Sequence, residues 1–270
     1  MDLEGKAIAS GIPFFQVDAF AGCLFAGNPA GVCVLEAWLP DAVLQAIAAE
    51  NNLSETAFLF RRGEGFELRW FTPTVEIDLC GHATLASGHV IFSYLQPGLS
   101  QVAFETRSGR LTVERRADLL FLDFPARKPV ACAAPDKLAE ILGAAPVETL
   151  CSRDLLVVFD DEATVRRLAP DLAAIARLDH LGLIATAPGR EGDFVSRFFA
   201  PRAGIPEDPV TGSAHCTLIP YWAKRLGKKD LHAFQVSARG GELFCENRGA
   251  RVSIGGRAVT YLRGTIELRM

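Results

Sequence analysis

The chain has 270 residues, of which 49% are hydrophobic and 22% charged, with a formal net charge of −4. That length suits one large domain or two of ordinary size with a sizeable core, and the composition excludes disorder. The acidic balance argues against a nucleic-acid partner, which wants a basic face.

In chain order, the first eleven residues read as a loose lead-in. They lack the basic segment and apolar run of a secretory signal. Strands are expected over 13–20 and 30–35, around the tight turn Asn28-Pro29-Ala30-Gly31. Asn and Gly tolerate left-handed backbone angles, so closing that turn accounts for Asn28 on local grounds. Pro40-Asp41 opens a helix that runs to about residue 50, with Asp41 as its cap. Strands over 56–60 and 66–71 flank Gly63-Glu64-Gly65. A helix after Gly81 holds Ala83, Thr84, Ala86, Ser87 and Gly88 and has little polar face, so it is expected to be buried on all sides. A hairpin over 102–106 and 110–114 turns at Ser108-Gly109, and a strand over 119–124 follows.

Residues 125–135 are rich in Pro and Ala and hold no clear element, so the domain boundary is placed there. Helices are expected over 136–142 and 161–178, among strands over 155–159, 182–186 and 193–199. A second small-residue helix starts at Gly212-Ser213, is kinked by Pro220 and stops near Gly227. The basic cluster Lys224-Arg225, Lys228-Lys229 belongs to that helix end, where cations complement the dipole. An antiparallel meander punctuated by Gly240-Gly241, Gly249 and Gly255-Gly256 completes the chain.

No stretch is long and apolar enough to span a bilayer. Seven Cys form no CxxC pair, and five His are scattered. Free thiols in a reducing cytoplasm follow, and no metal site is expected.

Two segments look like copies of each other. The first reads Phe71-Thr72-Pro73, Glu76, Cys80-Gly81-His82-Ala83, and the second Phe199-Ala200-Pro201, Glu207-Asp208, Thr211-Gly212-Ser213-Ala214. Each runs from a strand through a turn into a helix. A helix start leaves N–H groups free and binds anions, so two facing starts would hold a small acid from both sides. The fold class expected is α+β with two similar lobes, each a curved antiparallel sheet around one buried helix. The lobes are 12–126 and 127–257, with the strand near 258–270 available to return to the first.

Within this frame several residues can carry chemistry. Glu55 lies between a helix end and a strand start, beside Leu53, Ala57 and Phe58. A carboxylate held against apolar walls suits proton shuttling near neutral pH, while a surface Glu bonding nearby N–H groups is the plainer reading. Cys80 sits beside a helix start, where a thiol's pKa is lowered. A two-thiol racemase would need a second thiol at the matching position, which Thr211 occupies, and Cys216 is five residues further on. His82 could donate to a substrate or satisfy a carbonyl. Pro209 forces Asp208 into an extended shape, ready to cap the helix or bind a substrate amine. His89 and His215 read as packed or structural.

Taken together, Gln16-Val17-Asp18-Ala19-Phe20, Gly27-Asn28-Pro29-Ala30-Gly31-Val32, Asn52-Leu53-Ser54-Glu55-Thr56, Arg69-Trp70-Phe71-Thr72-Pro73, Gly81-His82-Ala83-Thr84 and Asp208-Pro209-Val210-Thr211-Gly212-Ser213-Ala214-His215 resemble the PhzF-like family, the phenazine-biosynthesis isomerase and its relatives. The resemblance spans almost the whole chain and implies the diaminopimelate-epimerase-like fold, with the active site between two lobes. It places Glu55 on the catalytic acid/base that moves a proton between carbons of a dihydro-hydroxyanthranilate ring, without metal or organic cofactor. His82 and Asp208 fall on substrate-contacting positions. Gly81, Gly212 and Ser213 fall on the facing helix starts that hold a carboxylate, and Asn28, Cys80 and Thr211 complete the expected substrate-binding set. Family members are commonly homodimers. Cys80 departs from the phenazine enzymes, which tend to carry a non-thiol residue there, and this looks like a separate branch.

The leading expectation is therefore a cofactor-independent isomerase of a small cyclic or amino/hydroxy carboxylate. The alternatives are a Cys80-dependent epimerase or dehydratase, and a non-catalytic relative that binds a small acid.

Overall fold

The computed structural model describes residues 11–268, so the expected lead-in lies outside the described residues apart from Gly11. β1 (Ile12–Ala19) pairs antiparallel with β2 (Asn28–Leu35), and α1 (Asp41–Asn51) then crosses to β3 (Glu55–Arg62), which runs parallel to β2. β4 (Gly65–Phe71) returns antiparallel to β3, and the short β5 (Glu76–Ile77) folds back onto it. α2 (Gly81–Val90), prolonged by a π turn at Ile91–Leu95, leads to β6 (Gln101–Thr106), parallel to β4. β7 (Gly109–Arg116) and β8 (Leu119–Pro125) complete an antiparallel meander.

The second half repeats this order of pairings. After β9 (Val130–Ala131) and α3 (Leu138–Leu142), β10 (Glu148–Cys151) pairs antiparallel with β11 (Leu155–Val158). α4 (Glu162–Arg167) and α5 (Leu172–Ile175) cross to β12 (Leu183–Pro188), parallel to β11. β13 (Phe194–Ala200) returns antiparallel, β14 (Ile205–Asp208) folds onto it, and α6 (Gly212–Leu226) leads to β15 (Asp230–Gln235), parallel to β13. β16 (Gly241–Asn247) and β17 (Arg251–Gly256) finish the meander. β17 then pairs antiparallel with β8, which stitches the two halves edge to edge. β18 (Ala258–Ile266) pairs with β1.

The repetition reaches side chains. Arg69 Nε and Nη2 each lie 2.7 Å from a Glu76 carboxylate oxygen, and the guanidinium covers the Phe71 ring at 5.2 Å. Arg197 grips Glu207 at 2.7 and 2.9 Å and covers Phe199 at 4.9 Å. Bidentate pairing fixes the angle of each guanidinium, so both short strands are held in the same way just ahead of a helix start. The shared signal is Arg-x-Phe-x-Pro at 69–73 and 197–201.

Small residues let the sheets close tightly around α2. His82 to Gly88 and Val90 are buried, and the polar Ser87 Oγ donates to Ala83 O at 2.8 Å. One apolar cluster joins α2 to α6 through side chains of both halves, including Trp70, Leu85, Leu218 and Trp222. Each such fully buried large side chain contributes about 1.5–3 kcal/mol.

Three local expectations need correction. Asp41 is the first residue of α1 and caps nothing; it pairs with Arg69 at 2.9 Å instead. The helix expected over 161–178 is two short ones, because Pro170 disfavours helical angles at the residue before it, and Asp161 and Asp171 each cap a separate start. Residues 125–135 contain β9, which pairs with β10, a strand absent from the sequence reading. α6 runs as one continuous helix across Pro220. Pro220 lacks the N–H that Cys216 O would accept, and the linker residue Arg127 supplies its own N–H to that carbonyl at 2.8 Å.

Candidate active site

The two helix starts face each other. A Cβ built on Gly81 would lie 3.8 Å from Gly212 Cα, and one built on Gly212 would lie 3.8 Å from Gly81 Cα. Neither Cys80 nor Thr211 caps its helix with a side chain. Gly81, His82, Gly212 and Ser213 line one cavity of about 290 Å³, together with Glu55, Cys80, Asp208 and Thr211. A larger depression of about 890 Å³ opens beside Tyr221 and Lys224. It contains none of the candidate catalytic or substrate-binding residues, which gather instead in the smaller cavity.

Glu55 reaches the cavity because Asn52 takes a left-handed conformation (φ 49°) at the end of α1 and turns the chain into β3. Glu55 is the first residue of β3, opposite Ala30 of β2, so it stands at the same end of the sheet as Asn28. It is buried, which overturns the plainer reading of a surface carboxylate. Its Oε2 lies 3.0 Å from His82 Nε2, yet that oxygen has no well-aligned hydrogen-bond donor. The contact is thus electrostatic, and the oxygen keeps accepting capacity. Burial works against charge on His82, but the neighbouring Cys80 and Glu55 outweigh it and raise its pKa well above the ordinary imidazole value.

The other ring nitrogen, Nδ1, lies 3.5 Å from Cys80 Sγ and 3.2 Å from Asn28 Nδ2. Partners of this kind assign the proton of a neutral ring to Nε2, toward Glu55, with Nδ1 accepting. His82 satisfies no backbone carbonyl among its described contacts. Cys80 differs from expectation. Burial and the Glu55 charge push its thiol upward in pKa, and the helix start and His82 do not compensate.

Asn28 does more than close a turn. It is fully buried, and its Nδ2 donates to Asp208 Oδ1 at 2.7 Å and to Val210 O at 2.9 Å. Gly27 (φ 67°) makes the approach possible, since a Cβ there would meet Ala19 O at 2.2 Å. Arg239 clamps the same turn, donating to Gly27 O at 2.8 Å while pairing with buried Asp18 at 2.7 Å. Asp208 ends β14 and caps nothing. Its Oδ2 accepts from the Thr211 hydroxyl, and burial raises its pKa to about 6 despite His82 and Thr211.

Three participants escaped the sequence reading. Gln235, at the end of β15, accepts from Thr211 N at 2.9 Å and donates to Asp208 O at 2.7 Å. Arg127 and Arg153 also line the cavity. No motif flags them, because one sits in the linker and the others follow ordinary strands. Cys216 lines the cavity too, although its distance from Thr211 along the chain argued against it. Its thiol is pushed up to about 11, chiefly by burial. His215 is packed as expected. Its Nδ1 donates to Thr211 O at 2.8 Å, and burial lowers its pKa to about 4. His89 contacts Thr260 Oγ1 at 2.9 Å.

The sequence reading expects no metal site, and three potential donors nevertheless lie together. One donor atom each from Glu55, Cys80 and His82 lies within 4.8 Å of the others. This is a donor set that zinc accepts. His82 Nε2 lies 3.0 Å from Glu55 Oε2 and 4.0 Å from Cys80 Sγ, while Nδ1 lies 3.5 Å from the same sulfur. No helix among the described residues is long and apolar enough to cross a membrane.

Residues 17–264 match the family described as phenazine biosynthesis-like protein (PhzC-PhzF). An uncharacterized isomerase of Pseudomonas aeruginosa is 55% identical over 257 residues, covering 95% of this chain and 99% of the relative. The crystal structure of a PhzF-family phenazine biosynthesis protein from Enterococcus faecalis superimposes with a TM-score of 0.94 at 49% identity, over 96% of this chain and 100% of that one. A hydroxyproline epimerase from Agrobacterium vitis shares the fold alone, with a TM-score of 0.60 at 11% identity over 96% of this chain and 93% of that one. The chain belongs to the PhzC-PhzF family, and its α+β fold is the epimerase-like one that its sequence implied.

Proposed function

We propose that the protein is a cofactor-independent isomerase that moves a proton between carbons of a small cyclic or amino/hydroxy carboxylate. The observation that carries this reading is Glu55: a buried carboxylate on the cavity wall, paired with His82, with one oxygen lacking an aligned donor. The substrate carboxylate sits between the starts of α2 and α6, where N–H groups and both dipoles favour negative charge. Glu55 takes a proton from the carbon next to the bound carboxylate. The electron pair left behind delocalises into the adjoining π system, and the protonated Glu55 returns the proton at another carbon, so no electrons are lost. His82 steadies the carboxylate, and Asp208, with a pKa of about 6, is suited to hold a substrate amine or hydroxyl. That a 55% identical relative is called an isomerase supports the class. The family resemblance further suggests a cytoplasmic homodimer.

The Cys80-dependent alternative is disfavoured by the raised pKa of its thiol. The test is deuterium uptake at carbon, followed by NMR in heavy water, with wild type and Glu55→Gln on a panel of cyclic amino- and hydroxy-acids. Uptake that depends on Glu55 is expected. Equal uptake by both proteins would move the base elsewhere, and binding without any uptake would make the protein a small-acid binder.

A further inference from the structure

Two arginines, Arg127 and Arg153, line the cavity beside the helix starts. Arg153 is already compensated, since its Nη2 lies 2.8 Å from fully buried Asp154 and 2.9 Å from Ser213 Oγ. Arg127 is not. No carboxylate pairs with it among the described residues, and its Nη1 is buried without a hydrogen-bond partner. Arg127 as a whole is half-buried, but an N–H group withdrawn from water with no partner is costly, and an unsatisfied group of this kind in a cavity wall calls for an explanation.

Its placement is built in. The Arg127 N–H occupies the Cys216 carbonyl that Pro220 leaves open, at 2.8 Å. Arg153 reaches Ser213, three residues and so about one turn earlier on α6. The two arginines therefore lie along one face of the first turns of α6, and the charge of both is felt at the Cys216 thiol between them.

We propose that Arg127, flanked by Arg153 and Ser213, forms a second anion subsite, and that the substrate is a dicarboxylate. One carboxylate rests on the helix starts, and the other is gripped by the planar fork of Arg127. The inference rests on the cavity being the substrate site, as in the isomerase reading, but not on any turnover.

Binding tests it directly. Titration calorimetry would compare matched acids that differ only in a second carboxylate, isophthalate against benzoate and glutarate against valerate. Wild type should bind each diacid about tenfold or more tightly than its partner. Arg127→Gln should erase that preference, costing the diacid far more affinity than the monoacid, and Arg127→Lys should keep part of it. Equal affinities in wild type, no binding of either member of any pair, or a preference that survives in Arg127→Gln would each overturn the proposal. A diacid preference that persists when no deuterium exchange is found would sink the isomerase reading and leave this subsite standing.

Discussion

Asn28 and Asp208 lie 180 positions apart in the chain and meet through a 2.7 Å hydrogen bond. The same amide nitrogen reaches Val210 O at 2.9 Å, so the start of β2 is tied to the approach to α6. Replacing the side chain leaves buried acceptors without their donor, which costs about 1–3 kcal/mol. Asn28→Ala should lose that much in urea unfolding. A midpoint equal to wild type would show that the bridge does not couple the halves.

Asp208 gives the protein a pH signature. Its pKa rises from 3.8 to about 6 on folding, with burial as the main cause. A group whose folded pKa is raised stabilises the fold below its unfolded value and loses that contribution as pH climbs through the folded one. The stability of wild type relative to Asp208→Asn should therefore fall by roughly 2 kcal/mol between pH 4 and 6. His82 acts in the same sense at higher pH. Denaturant melts of both proteins across that range are the check, and parallel profiles would refute the assignment.

The Glu55–Cys80–His82 trio predicts a response to zinc. Exhaustive chelation should leave deuterium exchange intact. Added zinc should inhibit it by pulling His82 off one of its two partners, and Cys80→Ala should blunt that inhibition. Activity that disappears on chelation and returns with metal would replace the cofactor-independent reading with a metal centre.

Two glycines of α2 should behave oppositely. A Cβ at Gly88 would sit 2.8 Å from Val113 Cγ1, whereas the nearest atom to one at Gly81 is Phe124 Cζ at 3.7 Å. Alanine normally favours a helix over glycine, yet overpacking costs about 1–3 kcal/mol. Gly88→Ala should thus lower the thermal midpoint and Gly81→Ala should not. Equal midpoints would mean that β7 yields around α2.

Alkylation should follow burial. Cys23 is exposed. The thiols of Cys80 and Cys216 are buried, and burial pushes the pKa of both upward. Iodoacetamide followed by mass spectrometry should mark Cys23 well before either cavity thiol. Rapid labelling of Cys80 would revive its candidacy as a base.

What could be read ahead of the structure divides along physical lines. Strands such as β3, β4, β6 and β7 declare themselves through local alternation and turn residues. The paired helix starts declare themselves through a repeated motif. His82 and Asp208 stand out because they sit within that repeat, and Glu55 because Asn52-Leu53-Ser54-Glu55-Thr56 carries the family resemblance. The split between α4 and α5 was readable at Pro170 and was overlooked. Gln235 and Arg127 carry no local signal: Gln235 is placed by the parallel pairing of β15 with β13, and Arg127 by a carbonyl vacated far along the chain. Cys80 misled because position beside a helix start predicts an acidic thiol, while burial, which is invisible locally, decides the opposite.

The pairing of β1 with β18 fixes an order of events during synthesis. β1 lies between β2 and β18, held along its length from Ile12↔Ile266 to Ala19↔Ala258. While the ribosome is still translating the second half, β1 has one open edge, a row of unsatisfied N–H and C=O groups that invites wrong partners. The first half thus emerges first but closes last. Truncation of β18 should leave a chain that aggregates rather than one that is merely shorter, and its maturation depends on shelter until the last strand arrives.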